Sequence, residues 1–158
     1  MSKVKKKKTN ALRKLELLGI SYELYEYEFE DKHIDGSTVA KMIGKDPSEV
    51  FKTLVTKADK NYFVYVIPVN TILNLKKAAK VAGVKRVEMI PLKELLPATG
   101  YLHGGCSPLG MKKEFKKFIH EEVILFDSIV FSAGLRGLQV EIETKYISDL
   151  NLEVADLV

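Results

Sequence analysis

Lys52 is the residue least easily explained as ordinary surface. It lies in Val50-Phe51-Lys52-Thr53-Leu54-Val55, a run of strand-forming residues. Period-two alternation puts it in register with Val50 and Leu54, on the more apolar side of a strand. An ammonium there must snorkel to water, take a partner or shift its pKa. Two readings stay open: an edge-strand lysine that reaches solvent, or a lysine that binds an anion or takes part in catalysis. The second feature is the loop Thr99-Gly100-Tyr101-Leu102-His103-Gly104-Gly105-Cys106-Ser107-Pro108-Leu109-Gly110. Its glycines permit positive φ and close backbone approach, and exposed amides in such a loop can hold a phosphate or an oxyanion. A wide structural turn is the plain alternative. No GK[ST] follows and no G-x-G-x-x-G is present, so neither nucleotide-loop fingerprint applies. A second glycine cluster, Ser132-Ala133-Gly134-Leu135-Arg136-Gly137, either turns a hairpin or sets Arg136 and a hydroxyl beside the first loop to hold a polar ligand.

Other chemistry is less favoured. Cys106 is the single cysteine, which excludes an intrachain disulfide. As a nucleophile it has only His103 nearby in sequence, and a buried bystander thiol is the stronger reading. His33, His103 and His120 lack metal-ligand spacing, so no metal is assigned. The acidic residues show no paired-carboxylate geometry for glycoside hydrolysis.

The elements that must position these groups follow from pattern. Leu12, Leu15 and Leu18 stripe a helix over 10–18, closed by Gly19. Residues 22–29 alternate glutamates with aromatics, as a half-buried strand does. A short helix spans 37–43, and Asp46-Pro47-Ser48-Glu49 starts another turn. Strands are expected at 51–57 and 62–69, joined by a turn at 58–61. A helix at 75–82 is capped by Asn74 and stopped by Gly83. A short strand at 87–90, helical turns at 91–96 and strands at 115–120, 129–132 and 138–143 follow. The tail from Thr144 reads as mostly helical. Strands and helices in no regular βαβ rhythm predict a single α+β domain built on a mixed sheet.

The charge is +4, from 25 Lys+Arg and 21 Asp+Glu. Lys3, Lys5, Lys6, Lys7 and Lys8 supply five of the positive charges, so the body carries 20 basic and 21 acidic groups, a net −1. Residues 1–8 therefore read as a disordered basic arm ahead of one domain, 9–158. A domain-wide basic footprint for nucleic acid is not supported. Local clusters survive at Lys76, Lys77, Lys80, Lys85 and Arg86, and at Lys112, Lys113, Lys116 and Lys117. No apolar run is long enough for a transmembrane helix and no secretory leader is visible, so no membrane partner and a reducing cytoplasm are expected.

Taken together, the strings Val50-Phe51-Lys52-Thr53-Leu54, Leu75-Lys76-Lys77-Ala78-Ala79, Val87-Glu88-Met89, Thr99-Gly100-Tyr101-Leu102 with Gly104-Gly105 and Ser107-Pro108-Leu109-Gly110, and Arg136-Gly137-Leu138 resemble the YbaK/EbsC family. Its members are trans-editing deacylases related to the editing domain of bacterial prolyl-tRNA synthetases. The resemblance runs from about Asn10 to the C-terminus. It implies a partly barrel-like mixed β-sheet surrounded by helices, and deacylation of mischarged tRNA, foremost Cys-tRNA(Pro). It implies no cofactor, with mischarged tRNA(Pro) and prolyl-tRNA synthetase as partners. Lys52 and Gly104 fall on catalytic positions. Tyr27, Thr53, Gly100, Tyr101, Gly105, Ser107, Ser132 and Arg136 fall on substrate-binding ones. In the YbaK type the substrate's own thiol attacks its ester, so no protein nucleophile is required. The chain departs from the family strings at Ala133, Leu135, Gln139 and Cys106, and the stretch 33–36 aligns poorly. Each departure bears on which amino acid is accepted. Alanine or serine esters, a noncatalytic tRNA- or synthetase-binding module, and an acyl-ester hydrolase using Cys106 are the alternatives.

Overall fold

A computed structural model describes residues 8–29 and 34–158. Most of the expected basic arm, and His33, lie outside these residues. Two sheets form the frame. One is antiparallel, in the order β1-β7-β6, from Glu23–Glu26, Leu138–Glu143 and Ser128–Leu135. The other is mixed, in the order β4-β2-β3-β5-β8, from Glu88–Met89, Phe51–Ala58, Asn61–Pro68, Lys116–His120 and Leu152–Ala155. In it β3–β5 and β5–β8 run parallel, while β2 pairs antiparallel with β3 and β4. A parallel bridge between Val50 and Val130 brings the start of β2 against β6. The sheets meet there without closing into a barrel. The α+β expectation holds, in this open, two-sheet form.

The main core lies under α1 (Asn10–Leu17). Ala11, Leu12 and Leu15 are buried against Phe51, Phe131, Leu138 and their neighbours. Thr9 caps the helix, accepting from the Leu12 N–H at 3.1 Å. Such a cap contributes about 1 kcal/mol. Its hydroxyl also donates to the Ala133 carbonyl, which ties the helix start to β6. A second core packs α3 (Leu75–Ala82) on Tyr65, Ile67 and Phe118. Asn74 accepts from the Lys76 and Lys77 N–H groups, and Gly83 ends the helix at φ 74°, as the pattern predicts. The two remaining helices are α2 (Gly36–Met42) and α4 (Leu92–Thr99). Among the described residues, no helix is long and apolar enough to cross a membrane.

The tail corrects the sequence reading. It forms a 3-10 segment, Thr144–Leu150, and then strand β8. Asn151 adopts φ 57°, which stops the helical segment and sends Leu152 and Val154 into parallel pairing with β5. The strand expected over 22–29 is also shorter, because β7 pairs with it only from Glu23 to Glu26.

One polar cluster locks the antiparallel sheet. Glu141 on β7 accepts from Tyr25 of β1 and from Ser128 of β6, and faces Lys45 Nζ at 3.2 Å. Burial pushes this carboxyl up, but the bonds from Ser128, Tyr25 and Lys45 outweigh it and hold the pKa below 4.5. A depressed carboxylate contributes stability above the unfolded value, and that contribution is lost as pH falls through the folded one. Glu141→Gln is expected to cost about 1–2 kcal/mol in urea unfolding at pH 7. The gap between mutant and wild type should shrink below pH 4. A gap that is constant with pH would contradict the assignment.

Candidate active site

Strand β2 is only partly covered on the side away from β3. Strand β4 pairs with it at Thr56 and Lys57 alone, leaving 51–55 without a strand partner on that side. The Val69 N–H donates to the Val50 carbonyl at 2.8 Å, and the Ile90 N–H to the Val55 carbonyl at 3.2 Å. In an antiparallel ladder these bonds fix the alternation, so the Thr53 N–H and C=O point to the open edge. A cavity of about 420 Å³ lies along this edge. It is bounded by the start of α2, by β6 and β7, by α4 and by the glycine loop.

Five of the ten candidate catalytic and substrate-binding residues line this cavity: Lys52, Thr53, Tyr27, Gly104 and Ser132. Lys52 shares a strand face with Leu54, as alternation predicts. No ion pair or hydrogen bond engages its ammonium among the described residues, and burial alone lowers its pKa below the usual 10.5. The Thr53 Oγ1 is buried without a hydrogen-bond partner. A polar atom in that state costs roughly 1–3 kcal/mol. Ser132 is 8% exposed and its Oγ accepts from the Gly134 N–H at 3.1 Å. Gly104 adopts φ 89° at the cavity wall.

The other five sit behind the wall. The Tyr101 hydroxyl donates to the Leu109 carbonyl at 2.6 Å, inside the glycine loop. Ser107 is fully buried and its Oγ accepts from the Leu109 N–H at 3.3 Å. Both are struts that fix the loop. Gly100 ends α4 at φ 87° and packs on Lys112. At Gly105 a Cβ would lie 3.0 Å from the Arg136 nitrogen, so the glycine lets the loop rest on the β6–β7 turn. Arg136 Nε donates to the His103 carbonyl at 2.7 Å and its side chain lies across Gly104. Arg136 thus supports the loop from outside the cavity.

Lys117 completes this support. It is 7% exposed, and its Nζ donates to the Pro108 carbonyl at 3.1 Å. Burial lowers its pKa, partly offset by Glu114. Sequence reading counted it in a surface cluster. Its place on β5, opposite Val64, puts it inside.

Several further cavity residues are not among the ten candidate site residues, although the sequence marks Gln139 and Cys106 as departures from the family strings and His103 as the neighbour of Cys106. Gln139 is 6% exposed and stands beside Ser132 in the β6–β7 register. Asp35, at the cap of α2, and His103 also reach the cavity. Met89, Ile90, Leu92 and Leu95 make its apolar end. Cys106 belongs to that end. It is 9% exposed, and burial pushes its thiol up to about 12, opposed only in part by Thr99. At neutral pH about one in 10⁵ molecules would carry the thiolate, which leaves it a poor nucleophile. Among the described residues, no three His, Cys, Asp or Glu side chains converge as a metal site.

The arrangement suits an ester whose carbonyl needs polarising and whose two ends need holding. A cation, the Ser132 side chain, an amide side chain and the outward-facing Thr53 backbone line the same cavity as a set of apolar side chains. Comparisons with known proteins bear on the family and the fold. Residues 35–150 match the model of the aminoacyl-tRNA editing domain. EbsC of Enterococcus faecalis is 44% identical over 144 residues, spanning 90% of this chain and 88% of that protein. Its name gives it, as a candidate, the activity of a Cys-tRNA(Pro)/Cys-tRNA(Cys) deacylase. The crystal structure of a candidate trans-editing enzyme for prolyl-tRNA synthetase superposes with TM-score 0.82 at 20% identity, covering 96% of this chain and 98% of that one. A scaffold used for epitope backbone grafting gives TM-score 0.83 at 19% identity, with 99% and 97% coverage. At such identities the structures speak for the fold, while the family match and the EbsC relationship speak for the activity: the chain belongs to the aminoacyl-tRNA editing domain family and is a deacylase of mischarged tRNA.

Proposed function

We propose that the substrate is Cys-tRNA(Pro) and that its own cysteine thiol attacks the ester. The observation that carries this reading is the pairing of a polarising cavity with a protein thiol that burial keeps protonated. Lys52 and the backbone around Thr53 and Gly104 offer donors to a developing oxyanion, while Cys106 at about 12 offers no thiolate. The step balances without a protein nucleophile. The substrate sulfur forms a bond to the carbonyl carbon, the bond to the ribose oxygen breaks, and that oxygen gains the proton that the thiol loses. The products are a cyclic thiolactone and free tRNA. The name of EbsC, which gives both Cys-tRNA(Pro) and Cys-tRNA(Cys), supports the choice of cysteine.

The chemistry also explains selectivity. A pocket that sorts cysteine from alanine by size gains only about 1–3 kcal/mol. A reaction that needs the thiol escapes that limit, since alanine and serine lack one. On this reading prolyl-tRNA synthetase supplies the mischarged tRNA. A body of net −1 outside the arm exerts little long-range pull on RNA.

The test is deacylation of Cys-tRNA(Pro), Ala-tRNA(Pro) and Ser-tRNA(Pro) by wild type and Cys106→Ala. Cleavage confined to the cysteine ester and equal in both proteins is the expected result. Comparable cleavage of the alanine ester would overturn the thiol mechanism. A tenfold or greater loss in Cys106→Ala would return Cys106 to the reaction.

A further inference from the structure

A second concavity, of about 640 Å³, opens beyond α4. Lys60, Lys112, Lys113 and Lys116 line it, with Glu114 as the single acidic residue in its wall. Ion pairs engage Lys8, Lys45, Lys57, Lys77 and Lys145 elsewhere on the molecule. None engages the four cleft lysines among the described residues, nor Lys76, Lys80 or Lys85; what sets the four apart is that they share one concavity. Lys112 donates to the Pro97 carbonyl at 3.4 Å, and all four are exposed. Four cations with one carboxylate among them repel one another until an anion arrives.

The cleft and the cavity share α4. Leu92 and Leu95 face the cavity, and Pro97 and Ala98 face the cleft. Lys60 lies at the β2–β3 turn, at the opposite end of β2 from Lys52. The six residue steps of β2 from Lys52 to Ala58 alone span roughly 20 Å. An aminoacyl-adenosine bound at Lys52 does not span that distance, whereas the body of a tRNA does. We propose that this lysine cleft docks the phosphate backbone of the tRNA whose aminoacyl end occupies the cavity. The proposal rests on the function proposed above for its choice of RNA, and on the unpaired lysines for its place. It refines the charge reading. Of the four lysines clustered at 112–117, Lys117 is buried, and Lys60 from the neighbouring hairpin joins the other three.

The test uses the full chain carrying Lys60→Glu, Lys113→Glu and Lys116→Glu. Lys112 is left intact because it packs on Gly100. A control of equal charge carries Lys76→Glu, Lys80→Glu and Lys85→Glu, all exposed and outside the cleft. Binding of uncharged tRNA(Pro) is measured against salt, beside cleavage of Cys-tRNA(Pro) and of a cysteinyl-adenosine ester. The cleft variant should bind tRNA at least tenfold more weakly, with a salt slope reduced by about 2–3. It should cleave the short ester as wild type does, and the control should bind tRNA within threefold of wild type. Wild-type tRNA binding by the cleft variant would overturn the proposal, and such a surface would then suit an acidic protein. Equal losses in the control would overturn it as well. A wild type that binds tRNA but cleaves neither ester would sink the deacylase mechanism while leaving the cleft to be judged on binding alone.

Discussion

Lys52→Ala is expected to lower the single-turnover rate on Cys-tRNA(Pro) by about 10²–10³-fold, the usual effect of removing one preorganised donor from a developing oxyanion. The variant should stay folded. Lys52 is held by no hydrogen bond or ion pair among the described residues, so its removal breaks no structural link, and losing a desolvated ammonium relieves a cost. Thermal unfolding should therefore leave Tm unchanged or raised. The same burial gives a pH signature. The ammonium is lost below the ordinary lysine value of 10.5, so enzyme-dependent cleavage should decline on an alkaline limb below that pH. Lysine side-chain NMR would assign the limb to Lys52. A folded Lys52→Ala protein with wild-type turnover would refute the role.

Gly104→Ala should be the next most damaging change, lowering kcat/KM by about 10–100-fold. Two effects combine. At φ 89° a residue with Cβ is strained by about 1–2 kcal/mol. The added Cβ would also meet Arg136 Nε at 3.3 Å, the atom that holds the His103 carbonyl. Arg136 or the loop must give by a few tenths of an ångström at the cavity wall, where displacement of a reacting group by about 1 Å can cost 10²-fold. Gly83→Ala controls for strain alone. It has φ 74°, open space around it and a place at the end of α3, so it should lower stability by a similar amount and leave kcat/KM intact. Equal losses of activity in the two variants would show that stability, not loop geometry, is being read.

What was legible beforehand follows the reach of local pattern. The helix at Leu75–Ala82 and the hairpin of β2 and β3 carry their caps and alternation in adjacent residues, and the structure places them as expected. Strand β8 does not. Its pairing with β5 is non-local and parallel, and the signal that ends the preceding segment is one asparagine at positive φ. The site divides the same way. Lys52 is conspicuous because a cation interrupts an apolar face. Gln139 stands out in sequence only as a departure from the family string, and its place beside Ser132 comes from the pairing of β6 and β7. Tyr101 and Ser107 belong to the same motif string as Gly104, yet their hydroxyls turn inward to the Leu109 backbone. A motif shows which residues travel together, and only the fold separates those that face a ligand from those that hold the loop in place.

The open edge of β2 explains why one short strand can carry so much of the site. A paired strand would have its backbone groups engaged. Here 51–55 has β3 on one side only, so Thr53 presents its backbone groups at the open edge, and Lys52 lines the same cavity from the next position. Packing on either face, half-buried Leu54 against the core under α3 and buried Val55 against Leu95 and Cys106, keeps the strand rigid while its edge stays free.

The central claim is that this cavity lets a substrate thiol cleave its own ester. The most direct measurement compares single-turnover cleavage of Cys-tRNA(Pro) with that of S-methylcysteinyl-tRNA(Pro). A cavity of about 420 Å³ has room for the extra methyl, so the comparison isolates the thiol. The free cysteine ester should be cleaved with release of a thiolactone, and the methylated ester should decay only at the rate seen in buffer. Cleavage of both esters at similar rates would contradict the account and assign the attack to water or a protein group.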